Sequence, residues 1–225
     1  MTLPTPSSKG TAAAAAVPTT PTPPGPVPYR PKNRKDARSP VDHAAHYALT
    51  PSEVEKLLST VGDARDLALL SLAIATGIRR EDMVSLKVAD YNRERLTLSY
   101  AEKKKRRVRT DVPLDPKAAT RLDLYLRARG RESVWIFPSD LPSSRSHLSS
   151  RSAWNILNRW CARAGLPRRP FHSLRATCYK LAKARGWPVE LAAWVIGDSI
   201  RVAQEYYGVA TPGEVAAMLR EKPLL

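Results

Sequence analysis

Residues 95–114 read RLTLSYAEKKKRRVRTDVPL, and here the apolar residues stop recurring every three or four positions and begin to alternate. Leu96, Leu98 and Tyr100 share one parity, a basic turn intervenes, and Val108, Thr110 and Val112 resume the alternation. Period two in two short arms joined by a charged turn predicts a small β-hairpin or the start of a meander, with no room for a large sheet. The flanks have the opposite texture. Upstream, LTPSEVEKLLSTV places Thr50 as an N-cap, Pro51 at the first helical position and Glu53 at the third, followed by Val54, Leu57 and Leu58 at helical spacing. DARDLALLSLAIATG is nearly all apolar, which predicts a central helix, and Gly77 is placed to end it in a left-handed turn. REDMVSLKVADYN follows as a second short helix with Met83, Leu86 and Val88 inward.

Downstream, PKAATRLDLYLRAR is helical and SVWIFPS is a short apolar segment. LSSRSAWNILNRWCARAGL is a long amphipathic helix ended by Gly165. After the loop PRRP, the segments HSLRATCYKLAKARG, PVELAAWVIG, IRVAQEYYG and PGEVAAMLRE read as four helices punctuated by Gly, Pro and Asp-Ser. The expected fold class is mainly α with a small antiparallel β-sheet (α+β), without internal repeats.

The chain of 225 residues carries a formal charge of +16, far more than solubility requires. A polyanionic partner follows, nucleic acid before membrane surface. No run of about 18 apolar residues exists to span a bilayer, and AAAAAV near the N-terminus lacks the flanks of a signal peptide. Cys161 and Cys178, the two cysteines, have neither CxxC spacing nor a disulfide framework, which suits a reduced, cytoplasmic protein. Residues 1–46 hold half of the twenty prolines and almost no large apolar side chain, so they are expected to form a disordered tail, basic towards its end. The globular domain is expected over 47–225.

Chemistry-bearing residues gather at helix ends. Arg79 stands just past the Gly77 stop, at a rigid corner. His172 and Arg175 are three apart at the start of a helix, on one face and near the positive end of its dipole, a setting suited to a phosphate. Taken singly, each reads more readily as a solvated surface arginine, or as a capping or packing histidine, than as part of a site.

In order and spacing, ATGIRREDMVSL, a hairpin with a lysine-rich turn, FHSLRAT, and WVIGDS followed by Tyr207 resemble the tyrosine recombinase (phage integrase) family over roughly residues 47–220. The resemblance implies the catalytic-domain fold of that family. It makes Arg79 and Arg175 the clamps on a scissile phosphate, His172 an aid to proton transfer, and Tyr207 the nucleophile, with Tyr206 as the competing candidate. Asp82 falls at an acidic helix position that orients its neighbours. Lys103, Lys104 and Lys105 all compete for the hairpin lysine that protonates the leaving 5′ oxygen, and the count back from Pro113 favours Lys105. A phenol is a weak nucleophile at neutral pH, so charge stabilisation and a proton acceptor are needed, and forked guanidiniums supply the former. No cofactor and no metal are implied.

Two departures stand out. Asp198 occupies a position where most members carry His or Trp; ionised, it cannot donate to a phosphate oxygen. It is expected to be protonated or turned away to cap the next helix, with the cap favoured, or else to leave a slow enzyme. The catalytic domain is expected to stand nearly alone behind the low-complexity tail, where most members carry a helical DNA-clamping domain. The expected function is site-specific recombination of double-stranded DNA by a homotetramer on paired sites, with nucleoid association and accessory DNA-bending proteins. The alternatives are a catalytically weakened DNA-binding relative, a type IB topoisomerase-like enzyme, and a plain basic helical module.

Overall fold

The apolar segment after Asp63 forms helix α2 (Ala64–Thr76) at the centre of the computed structural model. The structure describes Met1 and residues 44–130, 132–141, 146–208, 210 and 212–222; most of the tail expected to be disordered lies outside the described residues. Asp63 caps α2 by accepting the Asp66 amide, and Gly77 ends it at φ 58°. Leu69, Leu70 and Leu72 point in different directions around the helix and all are fully buried. Each such leucine contributes about 1.5–3 kcal/mol on burial. Helices α1 (Pro51–Thr60), α4 (Pro116–Ala128) and α6 (Ser173–Ala184) enclose it. The Thr50–Glu53 capping box read from the sequence is formed in both directions at the start of α1. Just before it, a 3-10 turn (Ala44–Tyr47) buries Ala45, and Arg169 donates to the Tyr47 carbonyl at 2.8 Å.

The segment expected as one helix over 80–92 is shorter than its pattern. Helix α3 covers Arg80–Val84, a 3-10 turn follows at Val88–Asp90, and Tyr91–Asn92 becomes strand β1. The Ser85 hydroxyl bonds back to the carbonyls of Glu81 and Asp82, closing the helix. Beyond it the backbone pairs with the SVWIFPS segment, Val88 donating to Val134 and Ile136 to Leu86, both at 2.8 Å. Tertiary pairing overrides the helical period there. Met83 and Leu86 are buried as expected, and Val88 is half-buried against the core.

Strands β1, β2 (Thr97–Glu102) and β3 (Arg107–Pro113) form an antiparallel meander in that order. The register sets Leu98 against Val112 and Tyr100 against Arg109, so three residues of β3 span an interval that takes two on β2. This bulge, with Asp111 at φ 49°, reverses the parity of β3. Val108, expected inward with Val112, is 67% exposed, and Arg109 is buried in its place.

Helix α5 (Ser150–Arg163) buries Ala153, Ile156, Leu157, Trp160 and Cys161, and the chain turns at Gly165. The final helices are α7 (Val189–Ile196), α8 (Ile200–Tyr207) and α9 (Pro212–Glu221), as the punctuation predicts. A second, smaller core made largely of alanine joins α6, α7 and α8, with Tyr179, Ile196 and Tyr207 as its large members. Cys161 and Cys178 are free, buried thiols, pushed up by burial to about 11 and about 12. No described helix is long and apolar enough to cross a membrane.

Candidate active site

Two glycine stops and one hairpin turn aim the site. At the first stop Arg79 takes the N-cap position of α3 without capping it, which leaves its guanidinium free to reach inward. An added Cβ at Gly77 would stand 2.7 Å from Ile196 Cγ2, so the tight α2–α7 approach needs glycine as much as the left-handed turn does. Arg175 rises from the first turn of α6 and is 2% exposed, donating from Nη1 to the Gly77 carbonyl at 2.7 Å. His172, at the N-cap of α6, makes no capping bond. At the second stop Gly197 ends α7 at φ 70°, and Asp198 follows it into the cluster.

Asp198 corrects the sequence reading. It does not cap α8; Ser199 does, accepting the Val202 amide. Its carboxylate turns inward, with Oδ1 bound by Lys105 Nζ at 2.6 Å and Arg79 Nη2 at 3.0 Å. Oδ2 is bound by Arg175 Nη2 at 2.6 Å and Nε at 3.1 Å. Nor is it protonated: burial opposes its charge, but Arg175 and Lys105 outweigh burial and hold its pKa at about 2.

Tyr207 is buried on α8, and its hydroxyl lies 3.0 Å from His172 Nε2 and 3.5 Å from Asp198 Oδ2. Tyr206, its neighbour on the same helix, is 43% exposed. Burial raises the phenol pKa, with Arg175 acting against it. Loss of water around the His172 ring, then the charges of Arg175 and Arg79, push its pKa down to about 4. The residue keeps an exposed edge, and the imidazole is neutral at neutral pH and able to accept a proton.

All six residues singled out from the sequence therefore meet: Arg79, Lys105, His172, Arg175, Asp198 and Tyr207. Of the three hairpin lysines, Lys105 is the one with hydrogen bonds to the cluster, to Asp198 and to the Gly197 carbonyl at 2.6 Å. Asp82 ties α3 to the hairpin, accepting the Lys103 amide at 3.0 Å.

The sequence reading missed Glu102, 2% exposed, whose carboxylate joins Arg79 Nη1 at 2.8 Å to Arg107 Nε. A signal existed, because Glu102 continues the inward parity of Leu98 and Tyr100 and so puts a charge on the buried face. It also missed Arg107, which reaches the Gly197 carbonyl at 2.8 Å, and Arg109. Around the cluster four cations, Arg79, Lys105, Arg107 and Arg175, face two carboxylates, Glu102 and Asp198. The surplus positive charge and the hydroxyl beside it suit an oxyanion ester.

Residues 48–211 match the phage integrase family. The chain belongs to that family. Among its relatives, tyrosine recombinase XerA of Pyrococcus furiosus is 26% identical over 180 residues, covering 79% of this chain and 62% of that protein. Tyrosine recombinase XerC of Roseiflexus sp. is 32% identical over 164 residues, covering 66% of this chain and 50% of that protein. The chain thus spans about half to three-fifths of the length of these relatives. In fold it is similar to a crystal structure of XerA recombinase, with a TM-score of 0.66 at 19% identity over 79% of this chain and 66% of that one. XerH site-specific recombinase, solved in a post-cleavage complex with a palindromic difH substrate, gives a TM-score of 0.62 at 22% identity over 79% of this chain and 54% of that one. These likenesses place the helices and the three-stranded sheet in the phage integrase fold.

Proposed function

We propose that this integrase-family domain cuts and rejoins duplex DNA at specific sites through a covalent 3′-phosphotyrosyl intermediate, working as a tetramer on paired sites. The observation that carries the reading is the Tyr207 hydroxyl, 3.0 Å from a neutral imidazole and beside the cluster of Arg79, Arg175 and Lys105. The Tyr207 oxygen attacks the scissile phosphorus while its proton passes to His172 Nε2. Arg79 and Arg175 hold the two non-bridging oxygens and oppose the charge that builds on them. Lys105 gives a proton to the 5′ oxygen as the P–O bond breaks. The phosphodiester is exchanged, not hydrolysed, so a 5′ hydroxyl from a partner strand reverses each step and needs no external energy. DNA is the partner favoured by the charge of +16 and by the DNA complexes among the structural neighbours.

Asp198 defines what the free site must do first. Its carboxylate oxygens take the donors that would hold the phosphate, so the DNA must displace it. The same contact favours a second reading, a DNA-binding relative in which that displacement is too costly for efficient cleavage. A nicked suicide duplex drawn from a pool with a randomised core separates the two, with adduct read on a denaturing gel. Adduct is expected with the parent and with Tyr206→Phe, and none with Tyr207→Phe. Lys105→Ala should slow it by about 10²–10⁴-fold, and Lys103→Ala far less. DNA retention without adduct from the parent would select the weakened relative.

A further inference from the structure

Arg109 is a buried charge that the proposed reaction does not use. It is 8% exposed, and it reaches the interior only because the β3 bulge reverses the strand's parity. Its guanidinium lies over the Trp194 ring, 5.0 Å from the centroid, and within 3.4 Å of the Tyr100 hydroxyl. Nη2 donates to the Trp194 carbonyl at 2.6 Å, and Nη1 to the Val195 carbonyl at 2.9 Å. Both carbonyls belong to the last turn of α7, where a helix leaves acceptors unpaired and a cation is favoured by the dipole.

That turn ends in a specific closure. Gly197 donates to Trp194 O at 2.9 Å and Asp198 to Ala193 O at 3.1 Å, the paired bonds of a Schellman motif. A Cβ at Gly197 would stand 2.8 Å from Arg109 Nη1, so the guanidinium is seated directly against the glycine. The Gly197 carbonyl in turn receives Lys105 Nζ and Arg107 Nη2. One end of α7 is thereby held by three cations of a single hairpin, and the residue after that end is Asp198.

We propose that Arg109 is a positioning residue: by clamping the end of α7 to β3 it fixes Asp198 and the Lys105 ammonium relative to Tyr207. The role rests on the recombinase reading of the site for its effect on cleavage, but not for its effect on the α7 end. A planar fork spans two adjacent carbonyls, and an ammonium on a flexible stem does not hold them in the same geometry. Lysine should therefore keep the charge and lose the alignment.

The full chain carrying Arg109→Lys is compared with the parent in three measurements: adduct formation on the nicked duplex pool, Kd for the same duplexes, and amide exchange. Adduct formation is expected to slow by about 10- to 100-fold, as for a small misplacement of reacting groups. Kd should stay within about twofold, less than 0.5 kcal/mol. The Gly197 and Asp198 amides should exchange about tenfold faster while α2 keeps its protection. Gly197→Ala breaks the same junction from the other side, and its effect should not add to that of Arg109→Lys. Parental exchange at both amides overturns the proposal. So does additivity of the two changes, or slowed cleavage accompanied by lost protection throughout α2, which would make Arg109 merely structural. If the parent forms no adduct, the recombinase reading falls, and amide exchange with the additivity test still decides Arg109.

Discussion

Asp66 and Asp198 are both carboxylates buried beneath several cations, yet they sit among them differently. Asp66, fully buried in the first turn of α2, accepts from Trp160 Nε1 at 2.7 Å and from Arg159 and Arg65. Its two arginines are 50% and 25% exposed, so water already shares their charge. Asp198 is 4% exposed, and its main partner Arg175 is 2% exposed, with Arg79 at 16% and Lys105 at 31%. Lys105 can turn to solvent if the carboxylate leaves, but Arg175 and Arg79 are held inside. The first cluster is complete in itself and fastens α5 to α2. The second is a cationic socket whose charge Asp198 balances.

Removing each carboxylate should make the contrast measurable. Asp198→Ala leaves Arg175 charged, buried and short of an anion, a situation that costs about 3–5 kcal/mol. Orthophosphate should restore much of it, about 2.7 kcal/mol at a concentration one hundred times its Kd. Thermal unfolding with and without phosphate reads both numbers. Asp66→Ala should cost less, about 1–3 kcal/mol, mainly from the unpaired Trp160 N–H, since Arg65 and Arg159 rotate into water. Phosphate should give it no recovery beyond the parent's. If phosphate rescues both variants equally, or neither, the socket and the fastening are the same kind of structure and the contrast is wrong. Asp198→Asn, which keeps the shape and removes the competing charge, should bind phosphate more tightly than the parent.

How far the sequence disclosed all this depends on whether local pattern or long-range pairing decided the outcome. Helix α2 was legible because an all-apolar period has only one place to go, and Gly77 and Gly197 were legible as stops because their turns need positive φ. The six residues singled out by the ordered boxes lie together in one cluster. Helix α3 was overcalled because its C-terminal half pairs with a segment some fifty residues on, which no local period reveals. Arg109 was hidden by the bulge, since alternation counted through β3 sends it to solvent. Asp198 was misread because Asp-Ser reads as a cap on either residue. Ser199 took that role, and the choice was made by Arg79, Lys105 and Arg175 from distant parts of the chain.

The smallest expected effect lies in the pH dependence, where His172 and Asp198 act in separate windows. For His172 the folded pKa of about 4 is below the ordinary 6.5, so the folded state binds fewer protons between those values. Its contribution is fully present above pH about 6.5 and is lost as the pH falls towards about 4. For Asp198 the folded pKa of about 2 is below the ordinary 3.8, and its ion pairs support the fold until acid passes through that lower interval. His172→Gln should therefore flatten the stability curve between pH about 6.5 and 4 and leave the steeper loss below it. In cleavage the same imidazole should keep accepting the Tyr207 proton well below pH 6.5, so the single-turnover rate at low DNA concentration stays level there and falls only as the pH nears 4. A midpoint at 6.5 would mean that neither the loss of water nor the charges of Arg175 and Arg79 act on the ring while it accepts the proton.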